Sequence, residues 1–471
     1  MRNMKNILLL LLTLVIVQCK VGPDYEQPEM DVPVDWQVVD QSFTIDSTAV
    51  PREWWTYFND PVLDSLIRLS LVNNRSALIA AERVERARNV LGIQKAELLP
   101  KFNYFGQATR GNFANGQVLG NEITVLSTGA SMSWELDFWG KYRRLNESAR
   151  AQMMSDIFAQ RALQISLIYE VSATYFQLLE YRKRLEIAKS TTQLRDSTLD
   201  LITDRFEGGI IPEIDVNQAQ IQYAISASSI PLYKRLSQQT EQVLSVLVGV
   251  PPQEIPSGLP LKDQNFEQEV HIAIPSEMLR YRPDVLQAEQ DLISANAIIG
   301  VRVAELFPSI SLTGTLAAAG DPTTFGSGAA WNLGAGLAGP LFYWQQNLRR
   351  VDVAENDTKI ALLNYEQTVL DAIREVEKSL VDIQTLREEV VARQLHVDAA
   401  QAAQDLSYMR YDQGVTSYLE YLETQRQLFE AQNFLATTQA QLLSAYLDLY
   451  RAAGGGWIDE DEKNEAANQE E

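Results

Sequence analysis

Apolar positions after Gly414 recur mostly at three- and four-residue steps: Leu419, Leu422, Leu428, Phe429, Leu435, Leu442, Tyr446 and Leu449. That spacing lines one side of a helix. The punctuation of the chain agrees. No proline lies between Pro100 and Pro212 or after Pro340. No glycine lies between Gly140 and Gly208, and only Gly414 between Gly339 and Gly454. Stretches this long, free of both residues and rich in Ala, Leu, Gln, Glu and Arg, are helical. At about 1.5 Å per residue, Lys141 to Glu207 would reach roughly 100 Å, too long for a compact globule. Coiled-coil or repeat packing is therefore expected. Two segments alternate instead. FNYFGQATRG from Phe102 and ITVLSTGASMSWELDF ending at Phe138 flank a Gly/Asn-rich break. SISLTGTLAAAG from Ser309 and WNLGAGLAGPLF ending at Phe342 flank a Gly/Pro/Thr break. Each reads as a β-hairpin whose strand length, alternation and aromatic content fit membrane-spanning strands.

The chain is an internal repeat. AELLPKFNYFG (96–106) aligns with AELFPSISLTG (304–314) at an offset of 208. GASMSWELDFW (129–139) aligns with GAGLAGPLFYW (334–344), and RFEGGIIPEID (205–215) with RYDQGVTSYLE (410–420), both at 205. The offset changes only inside the hairpin loop. Each half is thus helix, hairpin, very long helix, turn, helix. The predicted first repeat is 61–260, with a hairpin at about 101–138 and helices 61–100, 139–207 and 213–249. The second is 261–453, with a hairpin at about 308–343 and helices 275–307, 344–412 and 416–452. Two strands per half make four, and closing a barrel takes about eight or more. An open edge in lipid leaves backbone groups unsatisfied. The chain must oligomerise; periodicity does not choose between a dimer and a trimer.

The N-terminus reads as an address. Arg2 and Lys5 precede an apolar run, Ile7 to Val17, too short to span a bilayer as a helix. Residues 1–18 are predicted to be a signal peptide, with Cys19 as the site of a bacterial lipoprotein-type lipid, although Gln18 stands where Ala, Gly or Ser is usual. Residues 19–60 then form a lipidated, extended N-terminal segment, and the acidic tail, 454–471, reads as disordered.

Composition narrows function further. A formal charge of -22 opposes nucleic-acid binding. One cysteine and two histidines leave no intrachain disulfide and no Cys/His zinc site. No metal site, no catalytic residue and no cofactor beyond the lipid on Cys19 is expected. His396 reads as a solvated or packed helix residue, and His271 as surface. Glu388/Glu389 and Glu375/Glu377 lack nucleophile or metal partners. Trp54 and Trp55, just before a helix start at Asp60-Pro61, read as packing. Glu420 and Glu423, three apart after the turn at Gly414, share a helix face.

Six motifs in order carry a resemblance: CKVGPDYEQP at Cys19, EWWTYFNDPVLDSLI from Glu53, SWELDFWGK from Ser133, RPDVLQAE from Arg282, AELFPSISLT from Ala304 and RYDQG from Arg410. Together they resemble the TolC-type outer-membrane factors, in the lipid-anchored branch serving RND efflux systems. The match runs from about Cys19 to Trp457. It implies a mostly α fold with membrane β: a homotrimer whose twelve-stranded β-barrel continues into an α-helical periplasmic barrel. It implies a passive duct in the bacterial outer membrane, contacting outer-membrane lipid, a periplasmic adaptor protein and an inner-membrane RND pump. By the same resemblance, Gly209, Ile210, Gly414 and Val415 are adaptor-contact tips. Asp215 and Tyr411 match a carboxylate–tyrosine gate lock, and Thr416 replaces an arginine of that lock. Glu420 and Glu423 match two aspartates at the periplasmic aperture, where three copies would repel, attract cations and raise their own pKa values. The rival reading is a duct of the same build for ABC-driven protein secretion. A periplasmic coiled-coil adaptor would lack the duplicated membrane strands. No constellation supports an enzyme.

Overall fold

A computed structural model describes residues 20–37, 43–45, 53–111, 123–264, 270–272, 274–320 and 329–455. The signal peptide, Cys19 and the tail beyond Gly455 fall outside these residues. In chain order the elements are β1 (Phe43–Ile45), α1 (Pro61–Asn73), α2 (Arg75–Glu97), β2 (Lys101–Gly111), β3 (Ile123–Leu136), α3 (Lys141–Glu207) and α4 (Glu213–Val248). They continue with β4 (Val270–Ile272), α5 (Pro275–Met278), α6 (Pro283–Ala304), β5 (Ser309–Gly320), β6 (Ala329–Ala338), α7 (Gln346–Asp412) and α8 (Tyr418–Ala452). Both α3 and α7 run 67 residues without a break. No helix among the described residues is long and apolar enough to cross a membrane.

Two predicted helices are each divided. The helix expected over 61–100 breaks at Asn74, whose backbone is extended. The Asn74 side chain accepts from Ser76 and Ala77 N–H at 2.8 and 3.3 Å, capping α2 as the helix restarts. The helix expected over 275–307 stops after Met278 and restarts at Pro283. Proline suits a first turn, where its missing N–H costs nothing. His271 lies in β4, paired in parallel with β1 opposite Thr44.

The chain divides into two units. The first comprises 1–30, 83–157 and 287–367 and holds an antiparallel sheet in the order β2-β3-β5-β6. Hairpin β2/β3 pairs Lys101 with Ser133 through to Gly111 with Ile123. Hairpin β5/β6 pairs Ser309 with Ala338 through to Ala318 with Ala329. The halves join by β3/β5, from Leu126 opposite Gly320 to Leu136 opposite Ile310. Below β3, Asp137 accepts from Tyr142 and Arg143 N–H at 2.9 Å each, which starts α3. Trp139 stacks on Phe307 at 4.5 Å and donates to Pro308 O at 2.8 Å. The segment from Lys20 is strapped here. Buried Arg144 donates to Val21 and Gly22 carbonyls at 3.2 and 3.0 Å and pairs with Asp24 and Glu147. Gly22, at φ +90°, packs on Gly300, where a Cβ would come 2.4 Å from the Gly300 Cα.

The second unit comprises 31–82, 158–286 and 368–471. Trp54 and Trp55 sit in a 3₁₀ turn and are buried, and Trp54 stacks on Tyr450 at 4.5 Å. Packing, as expected from sequence, is their role. Asp60 is wholly buried and works as more than a cap. Its Oδ1 accepts from Val62 and Leu63 N–H, and its Oδ2 from Tyr175 Oη at 2.7 Å, Gln264 Nε2 at 2.6 Å and Leu259 N–H at 3.1 Å. Buried Arg282 is a second hub, paired with Asp284 at 2.6 Å and Glu375 at 2.9 Å and donating to Ala452 O. Glu375 is thus held in a structural ion pair with Arg282.

Candidate functional site

All site geometry here lies in the second unit, where α3 reverses into α4 and α7 into α8. Both reversals use one device. Gly209 and Gly414 take φ of +71° and +76°. Gly209 N–H donates to Phe206 O and Ile210 N–H to Arg205 O, at 2.8 and 2.9 Å. Gly414 N–H donates to Tyr411 O and Val415 N–H to Arg410 O, at 3.0 and 2.9 Å. These are duplicated Schellman C-caps, in which a left-handed glycine satisfies the last helical carbonyls. Nothing lies within 4 Å of a Cβ built on either glycine, so conformation and not space requires them. Ile210 and Val415 follow, 73% and 65% exposed.

Behind the turns, Ile202, Ala219, Tyr411, Tyr418, Tyr421 and Leu422 form a buried cluster. The Tyr411 ring lies nearly parallel to Tyr421 at 6.2 Å. Arg205 ties the two reversals. Its guanidinium sits 4.7 Å from the Tyr411 ring centre, pairs with Asp412 at 3.2 Å and donates to Tyr411 O at 3.4 Å. The expected Asp215–Tyr411 hydrogen bond is not formed: the Tyr411 hydroxyl is buried without a partner. Arg205 and the neighbouring tyrosines hold the ring instead. Asp215 stands in the first turn of α4, where the helix dipole favours an acid. Burial pushes the Tyr411 phenol up against the opposing charge of Arg205, with Asp215 adding a smaller push upward.

Neither Glu420 nor Glu423 is bare. Glu420 pairs with Arg410 across the reversal at 2.9 Å and accepts from Thr416 Oγ1. Glu423 accepts from Arg426 at 2.6 and 2.9 Å and from Gln427 at 3.0 Å, while Arg426 also pairs with Glu430 at 2.9 Å. Within the single chain these donors hold the Glu423 carboxyl below its ordinary range. Sequence reasoning missed Arg410 and Arg426 as partners, although Arg426 at i+3 from Glu423 was visible in the pattern.

It also missed Arg195. This α3 residue is 2% exposed and has no carboxylate partner among the described residues. It donates to Gln222 O at 2.8 Å, lies 5.2 Å from the Phe429 ring centre and leaves Nε unpartnered. Burial pushes it down to about 10. The one available signal was the repeat, which sets Arg195 opposite Ala400, a small residue on a buried face. His396 is exposed on α7.

Duplicated long helices, paired hairpins in one sheet and a charged, tyrosine-backed reversal define a subunit of an outer-membrane channel. The chain belongs to the outer membrane efflux protein family, which matches residues 66–250 and again 274–455. It is 31% identical over 462 residues to the probable efflux pump outer membrane protein SepC of Pseudomonas putida, covering 95% of this chain and 96% of that protein. It is 31% identical over 478 residues to the probable efflux pump outer membrane protein TtgC of the same species, covering 99% and 98%. The outer-membrane channel OprN superposes with a TM-score of 0.86 at 28% identity, over 93% of this chain and 100% of that one. The Campylobacter jejuni CmeC outer membrane channel matches in fold, with a TM-score of 0.89 at 24% identity over 95% and 98%. The fold is that of the trimeric TolC-type channels, and the chain is an efflux channel of the bacterial outer membrane that extends into the periplasm. The family and its structural neighbours are channel proteins.

Proposed function

We propose that three copies of this chain form the passive exit duct of an RND-type tripartite efflux system, carrying small molecules or ions from an inner-membrane pump and a periplasmic adaptor. The observation that carries this reading is the near full-length relationship to efflux-pump outer membrane proteins. Relatives matched at 31% identity include proteins named for toluene, solvent and antibiotic efflux. Those names favour small solutes over the secreted proteins of an ABC-driven system. In this reading Gly209, Ile210, Gly414 and Val415 contact the adaptor, and the exposure of Ile210 and Val415 suits that role. Glu420 and Glu423 line the periplasmic aperture, with Arg410 and Arg426 setting its net charge. Arg205, rather than an Asp215–Tyr411 hydrogen bond, holds the closed reversal. A lipid on Cys19 anchors the N-terminus.

The test is expression of the full chain with an RND pump and adaptor in an efflux-deficient bacterium. Reduced accumulation of toluene-like solvents or antibiotics supports the reading. Unchanged accumulation, with secretion of a protein substrate restored by an ABC exporter, overturns it. Acyl labelling that disappears in Cys19→Ala checks the anchor, and an unlabelled wild-type protein removes it. Native mass measurement in detergent should find a trimer.

A further inference from the structure

The two reversals share one backbone, but the helices leading into them do not share one stiffness. The offset of 205 holds to the far end of both return helices, where Gly249 and Gly454 take φ of +80° and +88°. Every position in one helical hairpin, α3/α4, therefore has a counterpart in the other, α7/α8, which serves as an internal control.

The return helix α4 carries Pro231 in its interior, exposed within the chain. Proline has no N–H for the Ala227 carbonyl, and its ring crowds the preceding turn. Just before it, Ser226 Oγ donates to the carbonyls of Gln222 and Tyr223 at 3.3 and 3.0 Å. Ser228 and Ser229 Oγ both donate to Ile225 O, at 2.8 and 3.1 Å. Hydroxyls that bond back to helical carbonyls weaken the ladder and bend helices. The facing stretch of α3 does the same. Ser190 and Thr192 donate to the carbonyls of Ile187 and Ala188 at 3.0 and 2.7 Å, and Ser197 and Thr198 to those of Gln193 and Leu194 at 3.2 and 2.9 Å. Arg195 lies between these pairs and donates to Gln222 O at 2.8 Å, which sets the two soft stretches at one level. In the second hairpin the counterparts of Ser226, Ser229 and Pro231 are Ala431, Phe434 and Ala436. Those of Ser190, Thr192, Ser197 and Thr198 are Leu395, Val397, Ala402 and Ala403. One back-bond survives there, from Asn433 to Phe429 O at 2.7 Å. The same scaffold thus accepts alanine where the first hairpin has proline.

We infer that the first hairpin is a hinged arm, which bends where 190–198 of α3 face 222–231 of α4 and swings the first reversal away from a stiff second hairpin. Arg195 spans the hinge and keeps α3 and α4 moving together. Gly209 lies 14 residues past Arg195. That is about 20 Å along the helix, so a bend of about 20° moves the tip by about 7 Å. Such a swing lifts Arg205 off Asp412 and the Tyr411 ring, which it meets at 3.2 and 4.7 Å. The motion deepens the duct reading above and rests on it for what parting the reversals does.

The test is the distance between the two reversals in the full chain, read by pulsed electron spin resonance. Nitroxides go on Ile210→Cys and Val415→Cys, the labelled chain is diluted with unlabelled chain, and the parent with its single cysteine is the blank. Arg205→Gln should add a second population longer by about 7 Å. Ser190→Ala, Ser197→Ala, Ser228→Ala and Pro231→Ala together stiffen the arm and should remove that population from the Arg205→Gln chain. All four positions are exposed and alanine is the best helix former, so these changes keep the fold. In the parent, amide exchange over 222–231 should be faster than over 427–436 by about tenfold or more. A second population that persists in the stiffened arm, or never arises in Arg205→Gln, overturns the hinge, and so does equal exchange in the two stretches. If the population comes and goes as expected while conductance across planar bilayers follows neither change, the hinge stands and the duct reading falls.

Discussion

Replacing Arg410 by glutamine should make the channel more cation-selective, and replacing its partner Glu420 should make it less so. The pair is 2.9 Å apart and contributes no net charge at the proposed aperture. Removing one member exposes the other in each of three copies. A unit charge about 10 Å from a permeating ion contributes about 0.4 kcal/mol in water, so three contribute about 1.2. At 0.1 M salt the Debye length is about 10 Å, which leaves roughly 0.45 kcal/mol. Cations gain and anions lose that amount, so the permeability ratio shifts about fivefold. At 0.01 M salt, with a Debye length of about 30 Å, the shift rises to roughly twentyfold. The assay is the reversal potential across planar bilayers under a potassium chloride gradient. Arg410→Gln and Glu420→Gln should move it in opposite directions, and the double variant should return near wild type. If both singles move it the same way, or Arg410→Gln is silent at 0.01 M salt, the pair lies away from the ion path.

Other changes separate structure from gating. Arg205→Gln, which removes the Asp412 pair and the contact with the Tyr411 ring, should raise open probability in the same bilayers; Tyr411→Phe should not, since its hydroxyl has no partner to lose. Asp60→Ala should cost about 1 kcal/mol for the lost cap and about 1–3 more for each donor left buried, with Tyr175→Phe milder, both read by thermal unfolding. Arg195→Met should raise thermal stability at neutral pH, because it removes a buried cation whose desolvation a single bond to Gln222 O offsets only in part. Because burial holds the folded-state Arg195 at about 10, below its unfolded value, its penalty is complete below that pH and is relieved as pH rises past it. The advantage of Arg195→Met should therefore shrink above pH 10, and a constant difference would assign the effect to packing alone.

Much of the fold was legible because its punctuation is local. Glycine and proline are missing where a 67-residue helix runs and present where the chain reverses. The break at Asn74 was not legible, because an asparagine that caps with its own side chain resembles any polar helix residue until the backbone turns. Nor were the hubs. Tyr175 and Gln264 lie 115 and 204 residues from the carboxylate they share, and no short-range pattern joins them. At the reversals, the paired glutamates were visible but not their neutralisation. Arg410 reaches Glu420 only because the Schellman turn at Gly414 folds α7 back beside α8. The Asp215–Tyr411 hydrogen bond was carried over by position and is not formed within the single chain, where Arg205 lies against the Tyr411 ring.

The repeat also bears on the proposed gate, because only one reversal per chain carries its charged and tyrosine side chains. The backbone device is the same in both: a glycine with φ above +70° and the same pair of carbonyl-directed N–H bonds. The side chains are not. Glu213, Val216 and Gln218 of the first reversal correspond to Tyr418, Tyr421 and Glu423 of the second. Asp215 corresponds to Glu420, yet only Glu420 has an arginine from the preceding helix paired with it. The arginine equivalent to Arg410 is Arg205, and it crosses to Asp412 of the other reversal. The duplicated scaffold thus gives two matching turns, and the divergence links them in one direction, with the first reversal holding the second. A trimer then has six turns of one backbone shape but three places where charge, tyrosine packing and a single crossing arginine coincide. Loosening Arg205 would free the second reversal without unmaking either turn. A gate built this way can move while the helix ends that cap it stay intact.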